Sequence, residues 1–129
     1  MSPRERQISA VLENKPGELA KLCEAFRKEG VNITALMVVE GRAKIMVDDS
    51  VRAGRVLEGM GISYTSAEVI CLEIPDKPGA VADVADKMAK EGINIDYAFA
   101  STVPGQGTAT VVFAVSDLDR AQTLVNSSE

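Results

Sequence analysis

Displacing the sequence by 62 residues lays Lys15-Pro16-Gly17 on Lys77-Pro78-Gly79 and Gly30-Val31-Asn32-Ile33 on Gly92-Ile93-Asn94-Ile95. A chain that repeats itself in phase folds into something built twice. Between these anchors the apolar register repeats as well: Leu19 falls on Val81, Leu22 on Val84 and Phe26 on Met88. A length of 129 residues then holds two units, with boundaries expected at 1–66 and 67–129. A unit of about 60 residues is marginal alone, so the copies are expected to share an interface. The Ala67-Glu68 connection, which has no Gly/Ser/Pro tract, agrees.

Each copy parses alike. The branched runs Gln7 to Leu12 and Val69 to Ile74 alternate as strands do. After each Pro-Gly turn, Leu19, Leu22, Cys23 and Phe26, and in the second copy Val81, Val84, Ala85 and Met88, recur at helical spacing up to Gly30 and Gly92. Asn32 to Val39 and Ala43 to Val47 read as a hairpin around Glu40-Gly41. Asn94 to Ser101 and Ala109 to Val115 match it around the longer Pro104-Gly105-Gln106-Gly107 turn. Second helices are expected over Val51 to Met60, introduced by Asp49-Ser50, and over Leu118 to Val125, introduced by Ser116-Asp117. Ile62 to Ser66 closes the first copy as a strand. The order strand, helix, strand, strand, helix, strand predicts an α+β fold: two ferredoxin-like βαββαβ units in tandem. Only Asn126-Ser127-Ser128-Glu129 come after the last helix, so the second unit is expected to lack its last strand. The edge left beside Val69 to Ile74 is expected to be covered by an extension of Ile62 to Ser66 or by a strand from a second chain.

Composition removes many functions. There is no histidine, which excludes Ser-His-Asp and Cys-His nucleophiles and His-ligated iron or zinc. Cys23 and Cys71 form no C-x-x-C pair, and reduced thiols in the cytoplasm are the simplest reading. Cys23 belongs to the apolar helix stripe, while Cys71 lies on the strand face opposite Ile70 and Leu72. A net charge of -5 and five scattered aromatics argue against nucleic acid. No apolar stretch is long enough to span a membrane, and the charged start of the chain is no signal peptide. Asp48-Asp49 reads as a solvated helix start rather than a metal site, and neither a metal nor another cofactor is expected.

The paired runs Asn14-Lys15-Pro16-Gly17-Glu18-Leu19 with Asn32-Ile33, and Asp76-Lys77-Pro78-Gly79-Ala80-Val81 with Asn94-Ile95, resemble the signature of ACT domains. The likeness covers nearly the whole chain and is nearest to stand-alone tandem ACT proteins. It implies a ferredoxin-like fold, amino-acid binding between paired ACT units, and regulation without catalysis, with these two runs holding the ligand.

The residue types suit such a ligand. A Pro-Gly turn lets backbone approach closely and aims the free N–H groups of a helix N-terminus at a carboxylate. Asn14 stands at the helix start, and Asn32 and Asn94 carry both donor and acceptor atoms for either end of a zwitterion. Asp76 replaces the first Asn in the second copy and favours an ammonium there. Two plainer roles stay open: Asn14 and Asp76 as helix caps, and Asn32 and Asn94 as turn residues.

Three functions are compatible with these residues. One is an amino-acid sensor, acting as a homodimer on an enzyme or regulator in trans. Another is a non-catalytic interaction or structural subunit with vestigial pockets. A small enzyme resembling acylphosphatase is the third, but it needs an Arg-bearing phosphate loop where this chain has Glu13-Asn14-Lys15-Pro16. The sheet face carrying Thr34, Leu36 and Val38 is apolar for open solvent, which favours the dimer.

Overall fold

The computed structural model describes residues 3–127. Its elements run in the order β1 (Arg4–Val11), α1 (Glu18–Lys28), β2 (Ile33–Val39), β3 (Arg42–Val47), α2 (Ser50–Gly59), β4 (Tyr64–Pro75), α3 (Ala80–Lys90), β5 (Ile95–Thr102), β6 (Thr108–Val115) and α4 (Leu118–Ser127). The β1–β3, β2–β3, β4–β6 and β5–β6 pairings are antiparallel. The architecture is α+β, two ferredoxin-like units in tandem.

Contacts divide the chain into Arg6–Ala67 and a second unit made of residues 68–127 together with 3–5. In the first unit the strands lie in the order β2-β3-β1-β4. The apolar stripe of α1 sets Leu22 and Phe26 against Ile8, Ile45 and Leu57, all buried. Ile62 and Tyr64, where the chain leaves α2 for β4, pack onto the same cluster. Ile70, Met88, Val111, Phe113 and Ala121 make the corresponding core of the second unit.

Helix ends obey the local sequence. Gly30 at φ +71° and Gly92 at φ +69° supply the left-handed residue that ends α1 and α3. The next N–H, of Val31 or Ile93, then donates to the Phe26 or Met88 carbonyl at 2.9 Å. Asp49 caps α2 by accepting the Arg52 N–H at 3.0 Å, and Asp117 accepts from Arg120 at 3.1 Å. The first hairpin turns tightly through Glu40 and Gly41, both at positive φ.

Two expectations change. Ile62 to Ser66 and Val69 to Ile74 are not separate strands, because no turn residue lies between them and extended backbone runs on through Ala67 and Glu68 as β4. As expected, no strand comes after α4 among the described residues, but what lies along the edge beside β4 differs. It is not an extension of Ile62 to Ser66; the beginning of β1 pairs there. The Cys71 N–H donates to the Pro3 carbonyl at 2.7 Å. The Arg4 guanidinium reaches Glu68 at 3.1 Å, Asp119 of α4 at 2.7 Å and Gln122 at 3.2 Å. The reason is register: β1 pairs with β3 only from Ile8 to Val11, leaving residues 3–5 to the second unit. Of the tail after Val125, Ser128 and Glu129 lie outside the described residues, as do Met1 and Ser2.

Candidate ligand-binding site

In both units the first strand leads through a short loop into a helix whose first residue comes directly after a left-handed glycine. Gly17 has φ +88° and Gly79 φ +89°, and no side chain caps either helix. Asn14 and Asp76 are therefore exposed loop residues and not caps. Pro16 and Pro78 are exposed as well, and the uncapped first turns of α1 and α3 present N–H groups suited to an anion.

The hairpin turns brace these loops from below, in two ways. The Leu12 N–H donates to the Gly41 carbonyl at 2.7 Å. A Cβ on Gly41 would stand 2.5 Å from the Leu12 carbonyl oxygen, so glycine is required there. In the second unit the longer turn reaches two positions further, and the Asp76 N–H donates to the Gly107 carbonyl at 2.9 Å.

Charge separates the copies more sharply. Lys15 Nζ lies 2.8 Å from Glu13 and 3.8 Å from Glu18, and Lys21 lies 3.2 Å from Glu18. The hydrogen bond and field of Lys15 hold the Glu13 carboxyl below the usual range, and Glu13 raises Lys15 in return. In the second copy Pro75, Ala80 and Asp83 stand where Glu13, Glu18 and Lys21 stand in the first. Among the described residues Lys77 has no carboxylate within 4.0 Å. The reading of the sequence missed Glu13, Lys21 and Asp83; the mismatches inside the repeat carried that signal.

Asn32 and Asn94 open β2 and β5. The Asn32 N–H donates to Asp48 Oδ1 at 2.9 Å, and its carbonyl accepts the Asp48 N–H at 3.0 Å. Asn94 makes the same exchange with Ser116 at 2.9 Å, while its side-chain amide donates to Asp96 at 2.9 Å. Both strands then carry an irregularity in phase, between Ile33 and Ala35 and between Ile95 and Tyr97. Within one unit these asparagines do not meet the Pro-Gly loop. Asn32 adjoins the Val47 end of β3 and Asn14 the Arg42 end, a separation of roughly 17 Å for a strand of that length. The same strand directions put Asn94 and Asp76 at opposite ends of β6.

A family model describing an ACT domain pair matches residues 4–128. The chain belongs to the ACT family. A protein of Bacteroides thetaiotaomicron superposes with a TM-score of 0.92 at 27% identity, over 98% of this chain and 90% of that one. The regulatory subunit of aspartate kinase from Thermus thermophilus, in its ligand-free form, shares the fold at a TM-score of 0.70 and 18% identity, covering 100% of this chain and 93% of its own. That of Thermus flavus does so at 0.70 and 17%, over 98% and 93%. Among curated proteins no sequence matches significantly.

Chemically, each ACT unit offers an exposed helix N-terminus beside a lysine. In the first, Lys15 is neutralised; in the second, Lys77 is available to an incoming anion. Among the described residues no group of three or more Cys, Asp or Glu is placed to hold a metal ion, and no helix is long and apolar enough to cross a membrane. Cys23 and Cys71 are free and half-buried. Burial first, and then Glu5 and Glu73, push the Cys71 thiol up to about 11.

Proposed function

We infer that this ACT pair is an amino-acid-sensing regulatory protein of the cytoplasm, which acts as a homodimer on an enzyme or regulator in trans. One observation carries the reading: at both ACT signatures the helix begins at a left-handed glycine with no side-chain cap, a ready seat for a carboxylate. The residues assigned to the ligand are Asn14 to Leu19 and Asp76 to Val81 at the loops, with Asn32-Ile33 and Asn94-Ile95 at the strand starts. Because these two sets lie at opposite ends of one unit, a ligand touching both needs a second ACT unit. Exposed Leu36 and Val38, each at 38%, give the copies an apolar face to bury.

A thermal-shift screen of the twenty amino acids tests this reading. A ligand at about 100 times its dissociation constant adds roughly 2.7 kcal/mol of stability. Asn32→Ala or Asn94→Ala is expected to weaken it roughly ten- to hundred-fold, and light scattering is expected to give a dimer. A monomer that no amino acid stabilises at millimolar concentration refutes the reading. The ion pairs of Glu13, Lys15, Glu18 and Lys21 favour a narrower alternative for the first unit alone, a structural subunit whose loop no longer binds.

A further inference from the structure

Beside the Lys77-Pro78-Gly79 turn the second unit holds a cavity of about 280 Å³, walled by Leu72, Ile74, Val84, Met88 and Val125. Allowing for the longer second hairpin, these residues fall on Ala10, Leu12, Leu22, Phe26 and Leu57 of the first unit. There the corresponding surface is covered. Ile62 and Tyr64 pack onto the cluster that contains all five. The Ile62 N–H donates to the Leu57 carbonyl at 3.0 Å, and the Ser63 carbonyl accepts from Val11, the counterpart of Glu73, at 3.0 Å. The second unit has smaller side chains at three of the five positions, Val84 for Leu22, Met88 for Phe26 and Val125 for Leu57, and a larger one at Leu72 for Ala10. The first copy packs its own Ile62 onto this cluster, and the matching residues of the second line a cavity.

The rim of this cavity is charged in both senses. Lys77, Lys87, Asp83 and Glu73 all border it, and among the described residues neither lysine has a carboxylate within 4.0 Å. Apolar walls with unpaired cations and carboxylates at the mouth fit a molecule with a short aliphatic body and a zwitterionic head. We propose that the cavity of the second unit binds a free amino acid with a branched aliphatic side chain, seated where Ile62 sits in the first unit, its carboxylate facing Lys77 and Lys87 and its ammonium facing Asp83. The proposal rests on the amino-acid-sensing reading and deepens it. The cavity gives the loop residues of the second unit a side-chain pocket beside them, and it selects aliphatic over polar side chains.

Calorimetry on the full chain tests it with isoleucine, leucine and valine against serine and glutamate. The aliphatic amino acids are expected to bind and the polar ones not to. Val84→Phe fills the cavity and is expected to abolish binding, while Lys77→Ala and Lys87→Ala, both at the surface, are each expected to weaken it roughly ten- to hundred-fold. The lysine variants carry the test if Val84→Phe does not fold. If an amino acid binds but all three variants hold it as tightly as the natural chain, the cavity proposal is overturned while amino-acid sensing stands. If no amino acid binds, both fall. Binding of the peptide Gly-Ile-Ser-Tyr-Thr, the first unit's own filler, without binding of free isoleucine overturns the small-ligand assignment in favour of strand docking.

Discussion

The two units share an element order, a loop motif and in-phase helix ends, yet they finish their cores differently. In the first, the chain leaving α2 turns back through Ile62 and Tyr64 and closes its own sheet with β4. In the second, the edge strand is borrowed from residues 3–5, and the matching core residues line a cavity. The charges diverge in the same direction. The loop of the first unit is tied up by its own ion pairs, whereas Ala80 and Pro75 strip those partners away in the second. A repeat therefore specifies the scaffold, and the residues that depart from it set how each core and each loop is finished.

The largest expected contrast lies in the cores. Leu22→Ala, at a fully buried position, is expected to cost about 2–5 kcal/mol in urea denaturation. Val84→Ala, against an existing cavity, is expected to cost about 1 kcal/mol. Equal losses would mean that the second core is as tightly packed as the first.

The hairpin turns give the next contrast. Gly41→Ala meets both a positive φ and the Leu12 carbonyl, and is expected to cost about 2–3 kcal/mol. Gly107→Ala has φ +75° but open space around it, so only the conformational cost of about 1 kcal/mol applies. Denaturation midpoints that fall by the same amount would erase the distinction between a braced and an open loop.

The arm is expected to be weaker still. Arg4→Ala removes the contacts to Glu68, Asp119 and Gln122, and the Cys71 amide, bonded to Pro3, is expected to exchange on the order of tenfold faster. The amides of β2 and β3 serve as the unmoved control. Unchanged protection at Cys71 would show that the strand pairing holds without the guanidinium.

The smallest effect concerns Cys71 itself. Its thiol is raised to about 11 by burial and by Glu5 and Glu73, so the folded protein keeps it neutral where an unfolded chain ionises it near 9. The sign is that of an acid whose neutral form is favoured by folding. Folding holds the proton more tightly than the unfolded chain does, so this stability is complete below pH 9 and is lost as the pH climbs through about 11. Alkylation of Cys71 is expected to stay slow at about pH 8 and to rise only in that alkaline window. Rapid modification at neutral pH would contradict its burial.

Much of this was legible in the residues. The stripes at Leu22 and Phe26, the capping Asp49 and the stop glycines act locally, so pattern located those elements to within a residue or two. The arm was not legible. Pro3, Arg4 and Glu5 carry no periodicity, and their partners are fixed only when strands distant in sequence take up register. Asn32 and the Pro-Gly loop were assigned to a ligand held between paired units, and the residue types alone do not say which unit supplies which. Strand direction, not side-chain type, puts them at opposite ends of a unit, and the βαβ order already implied it. The absence of a cap from Asn14 comes from the left-handed Gly17, which turns the loop before the helix begins.

The borrowed strand bears on how the molecule is made. Arg4 is synthesised long before Asp119, 115 positions later, so the arm's contact with α4 forms only after nearly all of the second unit has been made. The first unit, complete by Ala67, is free to fold during translation. The second closes only when its beginning and its end find each other, a long loop to close and a slow step by the measure of contact order. A fragment that starts at Glu68 contains nearly every residue of that unit and none of its edge strand.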